Sequence, residues 1–186
     1  MRETYRSLNN LSYWTKRWNT IDADEAMTNN NKYPLKYTLE TINLKNENQK
    51  ILEAGCGAGR ILKYLHQLNY NVVGIDFIKT AIDKIKRKDP KIKAFTENIL
   101  KTSFKDGEFD TILSFGLYHN FKIKNVIKAL SESKRILKDD GNLFFSFRVD
   151  NLQNLILDKL KSRKNYKDNI EFHKLNLKEK ELTKIL

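Results

Sequence analysis

The chemistry in this 186-residue chain is concentrated in a short window holding Glu53, Gly55, Cys56, Gly57 and Gly59. An apolar run, Ile51 and Leu52, leads in, and Ile61, Leu62, Leu65 and Leu68 follow at helical spacing. The absent side chains at Gly55 and Gly57 let a backbone turn tightly and approach a ligand. Free amides at the start of the following helix favour a negative group. Asp76 ends a second apolar run, Val72 to Ile75, seventeen residues beyond Gly59. A carboxylate at such a strand tip is placed to accept both hydroxyls of a ribose lying across two strands, and Phe77 is placed to pack on the base. A turn with no ligand and a helix-capping aspartate are the bland readings of the same residues. The strand and helix around the glycines, and the register of Asp76 behind them, weigh for a nucleoside ligand. Arg60 stands where the nicotinamide dinucleotide fingerprint needs its last glycine, which disfavours a dehydrogenase.

Glu53 to Gly59 matches, at every fixed position, the first motif of class I S-adenosylmethionine-dependent methyltransferases: acidic residue, any, Gly, any, Gly, any, Gly. The chain resembles that family from about Lys50 to Phe147. The resemblance implies S-adenosyl-L-methionine as cofactor, held by Glu53, Gly55, Cys56, Gly57, Asp76 and Phe77. It adds Asn98 and Ile99 at the adenine. The family usually carries aspartate where Asn98 stands, and an asparagine keeps the acceptor oxygen but loses the charge. Ser114 and Phe115 fall at the strand end that meets the methionine part. Tyr13, Trp14 and Trp18 resemble a helix that closes over the cofactor, with Trp14 and Trp18 four residues apart on one helical face. Packing of these aromatics on the sheet is the plain alternative.

Methyl transfer from a sulfonium is an in-line displacement on an already activated carbon, so alignment and water exclusion are the main demands. A hydroxyl or amine acceptor can use a base, for which His119 is the candidate, beside Tyr118 at the acceptor and Arg148 as a holder of carboxylate or phosphate. A loop histidine and a solvent-facing strand-end arginine are the ordinary readings. The chain has neither the Asn/Asp-Pro-Pro-aromatic run of nucleic-acid amino-methylating relatives nor the Pro-Cys pair of cytosine C5 enzymes. A small molecule, such as a sugar or lipid precursor, is therefore the expected acceptor by family analogy. RNA, or a truncated non-catalytic cofactor-binding or partner subunit, is the alternative.

These residues need a frame. From Lys50 onward, short apolar runs alternate with helical periodicity, which predicts an α/β, Rossmann-like, doubly wound and mainly parallel sheet. Strands are expected at Ile51–Ala54, Val72–Ile75, Ile92–Phe95, Phe109–Phe115 and Leu143–Phe147. The longest helix should start near Ile123 and end at Asp139, Asp140 and Gly141, the glycine taking a left-handed turn. Residues 1–49 read as an N-terminal helical lid segment, with Pro34 opening a helix to about Ile42, and 50–186 as the cofactor-binding domain. Leu152 to Leu160 is one more helix before a Lys/Asn-rich loop over 161–169. Glu171 to Leu177 is extended in pattern, and Asn176 with Glu179 reads as a capping pair for a last helix. Members of the family usually add two further strands, and their lack would leave the fifth strand to be covered by a homodimer or a partner chain.

Composition sets the outer limits. The length suits one compact domain. A single cysteine permits no internal disulfide or cysteine zinc cage, and the three histidines lack ligand spacing, so no metal is expected. No apolar run approaches the roughly 20 residues that span a bilayer, and the first residues lack a secretory pattern, which points to the cytoplasm. The net charge of +12 suits phosphate-bearing partners, but lysines scattered among asparagine and isoleucine also follow from an AT-rich coding bias.

Overall fold

The computed structural model describes residues 1–6, 8–21, 29, 32–42, 48–162 and 171–186. Most of the Lys/Asn-rich loop lies outside the described residues. The strands that carry the site are β2 (Lys50–Ala54), β3 (Asn71–Asp76), β4 (Ala94–Thr96), β5 (Phe109–Ser114) and β6 (Leu137–Phe145). They form one parallel sheet in the order β4-β3-β2-β5-β6. The chain runs outward from β2 to β4 and then returns to place β5 on the other side of β2. The crevice beyond the carboxyl ends of β2 and β5 is thus the switch point where such sheets bind ligands.

Alternation along β2 sends neighbouring side chains to opposite faces. Ile51 packs with Leu62 and Leu65 of α3 (Arg60–Gln67) and Ile85 of α4 (Lys79–Lys88), whereas Leu52 packs with Ile112 and with Ala129 and Ile136 of α5 (Ile123–Ile136). Both faces are covered, which explains why the strands read as continuous apolar runs rather than as alternating ones. The last turn of α4 carries Lys86, Arg87 and Lys88 on the negative helix end, and extended Asp89 stops it before Pro90.

The boundaries depart from expectation in three places. Helix α5 ends at Ile136, and Leu137 is already extended, so Asp139, Asp140 and Gly141 lie within β6. Gly141 is not left-handed. Its glycine is explained by crowding, since an added Cβ would fall 2.8 Å from the Leu137 side chain and 2.9 Å from the Lys138 carbonyl oxygen. The last helix, α7 (Glu179–Leu182), opens at Lys178, whose amide donates to Glu181 at 2.8 Å, and not at Asn176. Asn176 instead donates to the carbonyl of Arg2.

That contact belongs to the third departure. The N-terminal segment is helical over α1 (Asn10–Thr20) and α2 (Leu35–Ile42), but it begins with a strand, β1 (Arg2–Arg6). β1 pairs antiparallel with β7 (Glu171–Asn176), Arg2 opposite Asn176. Leu177, just past β7, joins the segment after β6 in a parallel bridge to Val149, with hydrogen bonds of 2.9 and 3.2 Å to Asp150 and Arg148. The two strands, one from each end of the chain, form a sheet of their own that this bridge ties to the segment after the fifth strand. Leu175 and Leu177 bury against Val126 beneath them. The outer edge of β6 over Leu137–Phe145 has no strand partner among the described residues, and α6 (Leu152–Ser162), which packs on β1, leaves Leu152, Ile156 and Leu157 exposed.

Candidate active site

The glycine turn leaves β2 with its amides committed inward: Gly55 and Cys56 donate to the Ile75 carbonyl at 2.8 and 3.0 Å. Gly57 has a φ of +54°, and an added Cβ there would come within 2.4 Å of the Trp18 ring. Only glycine meets both the left-handed backbone and the close approach. The Gly57 amide donates to Asp76 Oδ2 at 2.9 Å, while Asp76 Oδ1 takes the Ile78 amide at 2.9 Å. The tip of β3 is thereby tied to the turn after β2. Burial raises the Asp76 carboxyl above its ordinary pKa against the opposing pull of those two amides.

Glu53 lies deeper. It is 6% exposed, and its Oε2 has no hydrogen-bond partner. Burial lifts its pKa to about 8, with the Leu62 amide opposing and the Asp76 charge adding to the rise. A buried acid in the lining of a cavity is suited to a cationic ligand group. The Cys56 thiol between the glycines is also buried, and desolvation with the charges of Glu53 and Asp76 pushes its pKa up, so it stays a thiol and no nucleophile.

Above these groups opens a cavity of about 430 Å³. Its floor is Glu53, Gly55, Cys56, Gly57 and Asp76; Phe77 and Phe115 stand at its sides. Helix α1 roofs it with Asn10, Trp14, Arg17 and Trp18, the two indoles stacked at 6.2 Å. A narrow crevice continues past Asp76 and Phe77 to Glu97, Asn98 and Ile99. Asn98 Oδ1 there accepts the Leu100 amide at 3.0 Å. A bound S-adenosylmethionine fits this donor set: acidic acceptors for ribose and cation, a side-chain-free turn, and a flat slot beside Phe77.

A family model for a methyltransferase domain matches residues 52–145, half of the chain. The chain belongs to the class I S-adenosylmethionine-dependent methyltransferases. Among its relatives is an uncharacterized protein of Methanocaldococcus jannaschii, 34% identical over 142 residues, covering 74% of this chain and 56% of that protein. A human protein named as a probable tRNA methyltransferase 9B is 32% identical over 94 residues, 50% of this chain and 20% of that one. The chain thus spans little more than half, or less, of these two relatives. The fold resembles a solved S-adenosylmethionine-dependent methyltransferase of Methanosarcina mazei with a TM-score of 0.67 at 24% identity, covering 83% of this chain and 82% of that one.

Measured against the methyltransferase pattern, the structure brings Glu53, Gly55, Cys56, Gly57, Asp76, Phe77, Phe115 and Trp14 into one cavity and Asn98 and Ile99 into its side crevice. Four other candidates stand outside the cavity lining. Ser114 is buried and donates to the Ala54 carbonyl at 3.2 Å, fastening β5 to β2. Tyr118 is a core residue, fully buried, its hydroxyl 2.9 Å from Ser133 and its ring edge-on to Phe145, so it has no face for an acceptor. His119 turns toward Phe147. Burial and the charges of Lys174 and Arg148 lower its pKa to about 4, which keeps it neutral and makes it a weak base. Arg148 is paired with Asp158 at 2.8 Å and held by Asn154, serving the β1–β7 seam rather than a ligand.

For Tyr118 and His119 the reason lies in one short turn. Tyr118–Asn120 is a 3-10 helix after β5, and successive residues on it point in different directions. Tyr118 faces the core, His119 faces Phe147, and Asn120 reaches the cavity. Sequence reading placed the segment at the site but not which residue of it turns inward. It also passed over Asn10, Arg17, Tyr33 and Phe121 as wall residues, and named Trp18 only as part of an aromatic cluster. The four-residue spacing of the tryptophans was the available signal for the roof; nothing local announced Tyr33.

Proposed function

We propose that this protein transfers a methyl group from S-adenosylmethionine to a small molecule. The observation that carries the reading is the convergence of Glu53 and Asp76 with the glycine turn on one cavity that α1 covers. When bound, the cofactor supplies a methyl group on a cationic sulfur. Asp76 is suited to hold the ribose hydroxyls, Asn98 and Phe77 the adenine, and Glu53 the cationic end. Trp14 and Trp18 exclude water from the same space. Tyr33 and Phe115, with ring centroids 5.8 Å apart, wall the remaining part and suit a flat or apolar acceptor.

The cover favours a small acceptor, because a helix lies across the opening where a polynucleotide would have to enter. A cytoplasmic location, and a second copy of the chain against the open edge of β6, belong to this reading. A panel of amines, phenols, thiols and sugar or lipid precursors, assayed for S-adenosylhomocysteine release, tests it. The second reading, an RNA acceptor, is favoured by the human relative's name and the net charge of +12. It requires RNA binding that weakens steeply with salt. Cofactor binding with no turnover on either class of acceptor would favour the non-catalytic subunit.

A further inference from the structure

A second hollow of about 450 Å³ adjoins the first, and Tyr33 and Phe115 line both. Its other aromatic walls are Tyr37 of α2 and Phe144 and Phe145 at the end of β6. The rings are set against one another. Tyr33 meets Phe115 edge-on with centroids 5.8 Å apart, and meets Tyr37 at 6.3 Å and 64°. Tyr33 and Tyr37 nevertheless stay about half exposed, at 54% and 51%. Tyr33 does not hang free, since its hydroxyl lies 2.7 Å from Ser146 Oγ, which accepts the Gly116 amide at 2.9 Å. That link holds the ring to the turn after β5 and the segment after β6, so its uncovered surface is presented in a fixed orientation. Among the described residues lining this hollow Glu40 alone is charged, and Lys36, one turn back, stands 3.9 Å from its carboxylate. The pair leaves no net charge for an ionic ligand to meet.

A space of this size falls within the range of small-molecule sites, roughly 300–1,000 Å³, and the aromatic residues in its wall set its chemistry. Aromatic rings gain more from a planar π-system, stacked or met edge-on, than from a saturated body of equal area. An ionic group would lose water there with no opposite charge in return. Resting on the methyl-transfer reading, we infer that this second cavity binds the body of the methyl acceptor and that the acceptor is an uncharged planar aromatic compound. Tyr33 and Phe115, common to both cavities, mark where its acceptor atom meets the cofactor space.

The probes are 2-naphthol and decahydro-2-naphthol, which share a skeleton and a hydroxyl but only one of which is flat and aromatic. Each is titrated calorimetrically into the full chain saturated with S-adenosylhomocysteine, so that the first cavity is filled. The wild type should bind 2-naphthol about tenfold more tightly than the saturated alcohol. Tyr37 lines the second cavity and not the first, so Tyr37→Ala should cut that preference to within about twofold. Tyr37→Phe, which keeps the ring, should retain it, and S-adenosylhomocysteine binding reports that both variants are folded. Equal or tighter binding of the saturated alcohol, as plain hydrophobic burial predicts, overturns the inference. It is also overturned if 2-naphthol fails to bind the loaded wild type or is displaced by S-adenosylhomocysteine, which would put the ring in the cofactor cavity. An affinity for 2-naphthol that falls as the chain is concentrated overturns it too, by making these rings an interface between copies. No binding of S-adenosylhomocysteine, with 2-naphthol still bound and still dependent on Tyr37, would sink the methyl-transfer reading and leave the aromatic site standing.

Discussion

Asp76 Oδ2 and the Gly57 amide, 2.9 Å apart, join the tip of the second sheet strand to the turn that follows the first. The bond makes the carboxylate a structural part of the glycine loop as well as a ligand acceptor, because Asp76 Oδ1 simultaneously holds the Ile78 amide. Asp76→Ala leaves two backbone donors without their partner. We expect a loss of roughly 2–4 kcal/mol in thermal or urea unfolding, and a smaller loss for Asp76→Asn, which retains one acceptor oxygen. Equal stability of Asp76→Ala and wild type would show that the tie does not bear on the fold.

Glu53 links the cavity to pH. Its pKa of about 8 in the folded chain lies above the ordinary value of 4.5, so the folded state holds a proton that the unfolded state releases. Stability should therefore fall as pH rises from about 4.5 to about 8, by up to roughly 1.4 kcal/mol per pH unit from this group. Glu53→Gln should flatten that slope and raise the melting temperature at pH 8. A melting curve series that leaves the slope unchanged in the variant contradicts the assignment.

The same proton should leave when a cation arrives. At pH 7 the empty site holds Glu53 mainly protonated, and a sulfonium beside it favours the carboxylate. Titrations of S-adenosylmethionine in buffers of different ionisation enthalpy should report release of a proton, with affinity rising up to about pH 8 and levelling above it. Glu53→Gln should remove both effects.

These acidic positions were legible in the sequence because each is local. Five consecutive residues can announce a strand tip, and glycines at alternating positions announce a turn. Tyr118 and Asn120 were not legible in the same way, since a one-residue difference on a 3-10 turn decides between core and cavity. Strand β1 was missed for another reason. Arg2-Glu3-Thr4-Tyr5-Arg6 is polar, and its extended form is imposed by β7 from the far end of the chain. The expected left-handed Gly141 failed because the sheet register, set by β5, reaches back to Leu137.

Trp18 and Gly57 supply a coupling measurement. The ring lies where a Cβ on Gly57 would be, so Gly57→Ala should displace it and cost more with Trp18 present than in Trp18→Ala. A double-mutant cycle should give a coupling of roughly 0.5–3 kcal/mol. Additive effects would show that the roof and the turn do not touch in solution.

The open edge of β6 and the exposed Leu152, Ile156 and Leu157 predict association between chains. Sedimentation should show a concentration-dependent dimer that Leu152→Lys weakens. A monomer at all concentrations, with a sharp melting transition, would mean that β1 and β7 cover enough of the edge.

The most direct measurement is calorimetric titration of S-adenosylmethionine into this chain and into Asp76→Ala, with emission from Trp14 and Trp18, the chain's two tryptophans, followed in parallel. Saturable one-to-one binding that changes the emission, weakened at least about tenfold by the substitution, is the expected result. No binding to the wild type, or equal binding to both, would contradict a cofactor site built on the glycine turn and Asp76.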